Sequence, residues 1–339
     1  MISIANERAS ALSGYRFIDL FAGIGAFRQA FESFGAKCVF SSEWNKSCQD
    51  TYEENYGERP AGDITSIAEK DIPPHDILCG GFPCQAFSIS GNQAGFKDIR
   101  GKLFHDVARI AKFHQPKLVF LENVKNLEGH DEGRTMNVIR SVLREIGYVP
   151  SHVVLNAGDF GVPQCRERTY IVCLRKDIAG GDETLPGKIF PLPLKPKKYL
   201  RDVLVPPDEA KDFVIDTSSM GLELLPMERL AAARPEMTPV RIGHIKKGRQ
   251  GERIYSPLGH AITLSSGGGG IGARTGLYLV GSDVRRLTPR ECARLTGFPD
   301  RFKMHKSTNQ CYHQFGNSLV IDVVQAIISQ MLDQDMLPA

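Results

Sequence analysis

The chain reads as α/β: a doubly wound, Rossmann-like sheet with helices on both faces, plus a smaller, mostly irregular/β unit. Three observations carry that reading. Apolar runs such as Phe17–Phe21 and Leu118–Leu121 lead into glycine or polar turns, then into stretches of helical period. The alternation of strand and helix continues to about Arg175, the pattern of βαβ units around a parallel sheet. Then Pro186, Pro191, Pro193, Pro196, Pro206 and Pro207 interrupt the periodicity, and a short-stranded, glycine-rich region follows.

Length and composition bound the rest. A chain of 339 residues supports one large domain and a smaller one. Met1 to Gly14 holds Glu7 and Arg8 and no apolar h-region, and no apolar run approaches bilayer length, so a cytoplasmic protein is expected. The eight cysteines form no C-x-x-C pair and no histidine falls into a metal spacing, so neither disulfides nor a metal site is expected. A net charge of +3 is too small to argue for nucleic acid alone. The local excess from Arg241 to Arg253, where Lys246, Lys247 and Arg249 stand against Glu252, is either a solvated basic face or a polyanion contact.

Taken in order, Phe17 to Gly23 is a buried strand entering a glycine turn. In the helix that follows, Phe27, Ala30, Phe31 and Phe34 share a face. Gly23 and Gly25 suit close approach of backbone to a ligand, and Glu43 follows Gly25 by 18 residues, near the spacing at which an acid receives ribose hydroxyls. Arg28 stands where a dinucleotide fingerprint has its third glycine. The pattern therefore fits a ligand with a ribose and no pyrophosphate, adenosyl-methionine rather than NAD. A third strand, Asp76 to Cys79, ends in Gly80-Gly81-Phe82-Pro83-Cys84, which places a thiol at the carboxyl edge of the sheet. The small, polar stretch 88–102 is either a plain surface loop or a lid. Leu103, Val107, Ile110 and Ala111 make a helix face, and Leu118 to Leu121 then delivers Glu122-Asn123-Val124 to the same edge as Cys84. Ile139, Val142, Leu143 and Ile146 mark another helix. His152–Leu155 and Thr169–Leu174 read as a strand pair around Gln164-Cys165-Arg166-Glu167-Arg168. Val320, Val323, Val324, Ile327 and Ile328 form a late apolar helix face, expected to pack on the first domain.

Six segments now stand in order: Asp19-Leu20-Phe21-Ala22-Gly23-x-Gly25, Ser42-Glu43-Trp44, Gly81-Phe82-Pro83-Cys84-Gln85, Glu122-Asn123-Val124, Gln164-x-Arg166-x-Arg168 and Gln314-Phe315-Gly316-Asn317-Ser318. Together they resemble the DNA cytosine-5 methyltransferases over nearly the whole chain. The stretches Gln250–Ser256 and Arg290–Arg294 are similar to the bacterial modification methyltransferases of the HhaI type. The resemblance implies a Rossmann-like adenosyl-methionine-dependent methyltransferase sheet in a catalytic domain, 1–195, completed by 310–339. It also implies a target-recognition domain, 196–285, and a connecting hinge, 286–309.

The resemblance further implies methyl transfer from S-adenosyl-L-methionine to carbon 5 of a flipped-out cytosine in a short DNA duplex site, leaving S-adenosyl-L-homocysteine. Carbon 5 is a poor nucleophile until a thiolate adds at carbon 6, which is the role implied for Cys84. Glu122 would bond ring N3, Arg168 would contact the base, and Arg166 would support that pocket. Asp19, Phe21, Gly23, Gly25, Glu43, Trp44, Asp63, Ile64, Pro83, Leu103 and Asn317 match cofactor positions. Glu43 is expected on the ribose and Asp63 on the adenine amine. Gln85, Ser88, Ser90, Arg249, Gln250, Arg253, Gly268, Gly269 and Gly270 match DNA-contacting positions, with Gln250 and Ser90 filling the vacated stack and Arg253 reading a guanine. Ala26 and Asn45 depart from a glycine and an aspartate common in the family, and Gly267 from a tyrosine in the recognition loop. The expected partner is double-stranded DNA, the expected state a monomer, and the expected target GCGC, with a cognate restriction endonuclease. The alternatives are an RNA (tRNA) cytosine-5 methyltransferase, a catalytically inactive DNA-binding module, and an NAD-dependent oxidoreductase.

Overall fold

The computed structural model describes residues 8–83, 102–180, 186–226, 236–268 and 270–337. The chain divides into two compact units. Met1–Leu155, Glu167–Leu192 and Val323–Ala339 make the first, and Asn156–Arg166 with Pro193–Asp322 the second.

The first unit is built on a six-stranded sheet of β1 (Arg16–Leu20), β2 (Lys37–Ser42), β3 (Ile77–Gly80), β4 (Leu118–Val124), β5 (Tyr148–Asn156) and β6 (Glu167–Arg175), in the order β2-β1-β3-β4-β6-β5. Strands β2, β1, β3 and β4 run parallel, and β6 pairs antiparallel to β4. The strands are apolar on both faces because helices cover both. Ile18, Leu20, Val119 and Leu121 pack with α3 (Lys102–His114) and α4 (Arg134–Glu145). The alternate residues Phe17 and Phe120 meet Phe31 and Phe27 of α1 (Ala26–Glu32) on the other side, at ring-centroid distances of 5.4 and 5.5 Å. Helix α1 stops at Glu32, two residues short of the end of the pattern; Phe34 is nonetheless fully buried.

Arg28 has a packing reason to stand where a third glycine was missing. Its guanidinium lies 4.4 Å from the centre of the Tyr56 ring and pairs with Glu32 at 2.7 Å and with Glu58. Helix α2 (Lys46–Tyr56) is capped by Asn45, whose side chain accepts from the Ser47 and Cys48 amides at 3.0 and 3.2 Å. Asparagine caps as well as aspartate, so that departure from the family is harmless here. In the last helix, α8 (Ile321–Asp333), Gln325 donates to the Ser33 hydroxyl at 2.9 Å, and Arg8 bonds the Ser329 carbonyl at 3.0 Å. The late apolar helix therefore belongs to the first unit.

The stretch Thr308–Asp333 is, contrary to expectation, long and apolar enough by composition to cross a bilayer, with a mean hydropathy of 1.3. It is two helices, α7 (Thr308–Asn317) and α8, and its apolar residues, among them Phe315, Val323, Ile327 and Met331, are buried in protein.

The second unit has strands of two to four residues: β7 (Glu223–Leu224), β8 (Arg241–His244), β9 (Arg253–Tyr255), β10 (Leu277–Val280) and β11 (Asp283–Arg285), ordered β11-β10-β9-β8-β7. One apolar cluster under this sheet is Ile242, Ile245, Ile254, Leu277 and Val284. Buried polar contacts add to the apolar packing of the unit. Glu291, in α6 (Pro289–Arg294), is completely buried; α5 is the single turn Pro186–Ile189 of the first unit. Its carboxylate takes both guanidinium nitrogens of Arg285 at 2.7 and 2.9 Å, and the amides of Thr288 and Val205 at 2.8 and 2.9 Å. Removing one partner of a buried pair strands the other charge, at a cost of about 3–5 kcal/mol. Glu291→Ala should therefore lose that much in urea denaturation, and a loss below about 1 kcal/mol would show that the pair is not what orders this unit.

Candidate active site

The order β2-β1-β3 makes a switch point, because the connections leave β1 and β3 in opposite directions and open a crevice at their carboxyl ends. A cavity of about 200 Å³ lies there, lined by Phe21 after β1, Ser42, Glu43 and Trp44 after β2, Gly62, Asp63 and Ile64, Pro83 after β3, and Leu103 of α3. Phe21 takes a left-handed backbone, φ 57°, uncommon for an aromatic residue and costing on the order of 1 kcal/mol. The turn holds it there. The Ala22 amide donates to the Ser42 carbonyl at 2.9 Å, and the Gly23 amide donates to Glu43 Oε2 at 2.9 Å. The Asn45 amide takes Glu43 Oε1 at 2.8 Å, so the carboxylate is fixed at both oxygens before any ligand arrives. Asp63 uses Oδ1 to cap its own turn, accepting from the Thr65 amide at 3.0 Å. Trp44 is 71% exposed, an aromatic face offered at the cavity.

The lining tests the expected cofactor. Apolar walls with two carboxylates, and no basic residue among the described lining residues, suit a nucleoside with hydroxyls and an exocyclic amine. A pyrophosphate would meet Glu43 and Asp63 there. A second group fits as well. Asp19 is 1% exposed, and among the described residues its carboxyl is reached by no more than a marginal contact from the Arg28 backbone amide. Burial pushes that carboxyl up to about 8; Arg28 opposes the shift, and Glu43 adds to it. A buried acid of this kind suits a cationic ligand group. Asp19, Gly23 and Gly25 are not among the residues lining the cavity, and a Cβ on Gly25 would strike the Tyr56 ring.

Next along the same edge, Glu122 on β4 faces Arg168 on β6, with Arg168 Nε 3.1 Å from Glu122 Oε1. The antiparallel register, in which Val124 opposes Arg168, brings the two side chains together. Asn123 donates from Nδ2 to the Phe82 carbonyl at 2.7 Å and so ties the chain just before Pro83 and Cys84 to β4. Sequence reading missed Asn123; its signal was only its place between Glu122 and Val124. Cys84, Gln85, Ser88 and Ser90 lie outside the described residues, as does Gly269.

The remaining expected residues sit in the second unit. Arg166, though two positions from Arg168, is 1% exposed and donates to the carbonyls of Leu264, Gly316 and Ser318 at 2.9, 3.0 and 2.6 Å. Asn317 lies within hydrogen-bond distance of His313, at 3.3 Å, and is not among the cavity residues. The Arg249 amide donates to Glu252 at 2.9 Å and starts the turn Gln250–Glu252. The Gly272 amide bonds the Gly251 carbonyl at 2.9 Å, so the Gln250–Arg253 segment runs beside the loop holding Gly268 and Gly270. Arg253 makes no ion pair among the described residues, and its Nε has no partner there.

Strand ends that meet a nucleoside-shaped crevice with acids, beside a paired glutamate and arginine, define an adenosyl-methionine-dependent transferase rather than a dehydrogenase. Comparison with known proteins makes this specific. The C-5 cytosine-specific DNA methylase family matches residues 15–333. The chain is 51% identical to the Type II methyltransferase M.HhaI of Haemophilus parahaemolyticus over 96% of both chains. It is 40% identical to M.HpaII of Haemophilus parainfluenzae, over 94% of this chain and 90% of that one. Among solved structures, the S. pombe Dnmt2 methyltransferase superposes with a TM-score of 0.66 at 23% identity, covering 94% of this chain and 99% of the other, a likeness of fold. The chain belongs to the C-5 cytosine-specific DNA methylases. It methylates carbon 5 of cytosine in DNA, with S-adenosyl-L-methionine as donor. The RNA, inactive-module and dehydrogenase alternatives fall away.

Asp19 gives a test that needs no turnover. An acid whose folded pKa is raised from 3.8 to about 8 is protonated in the native state and ionised in the unfolded one between those values. Stability without cofactor therefore falls as pH rises through that window, by about 1.4 kcal/mol per unit for a fully buried group. Asp19→Asn should melt higher than the parent, and the gap should widen from pH 5.5 to pH 8 in cofactor-free thermal melts. A gap that stays constant over that range would mean Asp19 is ionised in the fold.

Proposed function

We propose that this methylase works through a covalent Cys84–cytosine intermediate and reads a short palindromic site through its second unit. The observation that carries the chemistry is the Glu122–Arg168 pair, 3.1 Å apart and mostly buried, beside the tied chain that leads into Cys84. The Cys84 thiolate adds to carbon 6 of the cytosine, and the electron pair of the 5,6 double bond moves toward N3. Glu122, protonated on Oε2, the oxygen near Gly81, donates that proton in a hydrogen bond to N3 and so takes up the charge, while Arg168 holds Oε1. Arg168 also contacts the base. Bound S-adenosyl-L-methionine supplies the electrophilic methyl group at carbon 5. Glu43 would receive its ribose hydroxyls and Asp63 its adenine amine, and Trp44 would offer it an aromatic wall. Loss of the carbon 5 proton and expulsion of Cys84 complete the turnover.

The extruded cytosine leaves a gap in the duplex that Gln250 and Ser90 fill, which lowers a cost of a few kcal/mol. Residues 1–195 with 310–339 do the catalysis, 196–285 read the target and 286–309 connect them. An Arg253 with no ion pair among the described residues, beside a glycine loop, suits a bidentate contact to guanine in the major groove. The target we propose is GCGC, from the unbroken match of Gln250 to Ser256 with HhaI-type enzymes. The relatives carry Type II methyltransferase names, and we place this protein in a restriction–modification pair, acting as a cytoplasmic monomer on nucleoid DNA beside an endonuclease of the same site.

Two measurements test this reading. Cys84→Ser should abolish tritiated methyl transfer while retaining DNA affinity, and duplexes with 5-fluorocytosine at the target should trap the parent enzyme on denaturing gels. Turnover by the serine variant near the parent rate would defeat the covalent route. Bisulfite sequencing of plasmid DNA from expressing cells should find methylation confined to GCGC; methylated cytosines outside CpG would refute the target.

A further inference from the structure

We propose that Arg166 and Gly316 position the loop Leu264–Gly268 and thereby govern target discrimination, without touching DNA themselves. The inference rests on the reading that this loop and Arg253 face the target. Leu264, at the loop's start, is held at both backbone groups by buried side chains from one short segment. Its carbonyl takes Arg166 Nη1 at 2.9 Å, and its amide donates to Gln164 Oε1 at 3.1 Å. Gln164 Nε2 meanwhile donates to the Leu295 carbonyl at 2.6 Å, so the anchor is itself anchored. The other guanidinium nitrogen of Arg166 bonds the carbonyls of Gly316 and Ser318 at 3.0 and 2.6 Å. One side chain therefore fixes the loop against the end of α7.

Gly316 is the surface the loop rests on. It lies in the last turn of α7, where glycine costs about 1 kcal/mol relative to alanine. Helix propensity alone argues against it. Contact explains it: a Cβ there would overlap the Ser266 amide and sit 2.6 Å from the Ser265 carbonyl oxygen. Both partners are backbone, so the loop itself would have to move. Beyond the contact, the Ser265 amide donates to the Arg274 carbonyl at 2.9 Å, and the Gly272–Gly251 bond joins this loop to Gln250–Arg253. A displacement at Ser265 thus reaches both stretches proposed to read the bases. Arg166 and Gly316 are positioning residues.

The test compares kcat/KM on a hemimethylated duplex carrying the enzyme's own target, found by bisulfite sequencing, with that on a duplex changed at one outer base pair. In Gly316→Ala and Arg166→Met the ratio should fall by about tenfold or more, the scale of one lost base contact, with DNA KM rising more than kcat falls. Arg166→Lys keeps the charge but not the fork, and should recover part of the ratio; it decides the matter by itself if the other variants do not fold. A ratio within about twofold of the parent, with both duplexes losing rate in parallel, would overturn the proposal. Arg253→Ala separates this from the reading beneath it. If that variant keeps its discrimination while Gly316→Ala loses it, the positioning role stands and only the guanine contact of Arg253 falls. If both keep it, both claims fall.

Discussion

The connections that leave β1 and β3 part at the carboxyl edge of the sheet, and the site is built in the gap they leave. Two adjacent parallel strands whose chains run on in opposite directions cannot cover the ground between them. Phe21, Glu43 and Pro83 each follow a different strand of this group and reach the same cavity for that reason. The strained backbone of Phe21 belongs to the same constraint. The chain must turn at once after Leu20 to reach α1, and amides donated to Ser42 and Glu43 hold the turn against its conformational cost.

Electrostatics decides what fits that gap. Among the described residues the lining supplies acids and no bases, and Asp19, on the strand that leads to it, is buried with no more than a marginal contact from the Arg28 amide. An isolated buried carboxylate is expensive, and the fold carries this one largely protonated at neutral pH. Such an arrangement stores a penalty that a cationic ligand group relieves, whereas a phosphate would increase it. Arg28 lies near enough to temper Asp19, but it is committed to Tyr56, Glu32 and Glu58 on the outer side of α1. The arginine that spoils a dinucleotide fingerprint is thus part of how α1 is held.

Arg166 and Arg168 show how two residues of one motif separate in purpose. Arg168 lies within β6, where the antiparallel register with β4 delivers it to Glu122. Arg166 precedes the strand and turns into the second unit, where it serves the carbonyls of Leu264, Gly316 and Ser318. A guanidinium can do either task, since its donors suit a carboxylate and a set of carbonyl oxygens equally. The backbone before and within β6 makes the choice.

The sequence by itself determined the sheet, its helices and the acids of the cavity. Buried strands are near-continuous apolar runs, and helix faces repeat at i, i+3 and i+4, so Phe17–Phe21 and the Leu103–Ala111 face were legible locally. Glu43 was legible from its spacing after Gly25, and Trp44, Asp63 and Pro83 through the motifs by which the chain resembles the family. Tertiary structure alone decided what depends on distant neighbours. That Asn123 ties the Phe82 carbonyl, that Glu291 is the buried hub of the second unit, and that Gly316 must be bare are contacts across 41, 86 and 50 residues of chain. No local pattern encodes them. Glycine in a helix reads as a weakness until the backbone lying against it is known, because the energy that selects it belongs to the contact and not to the helix.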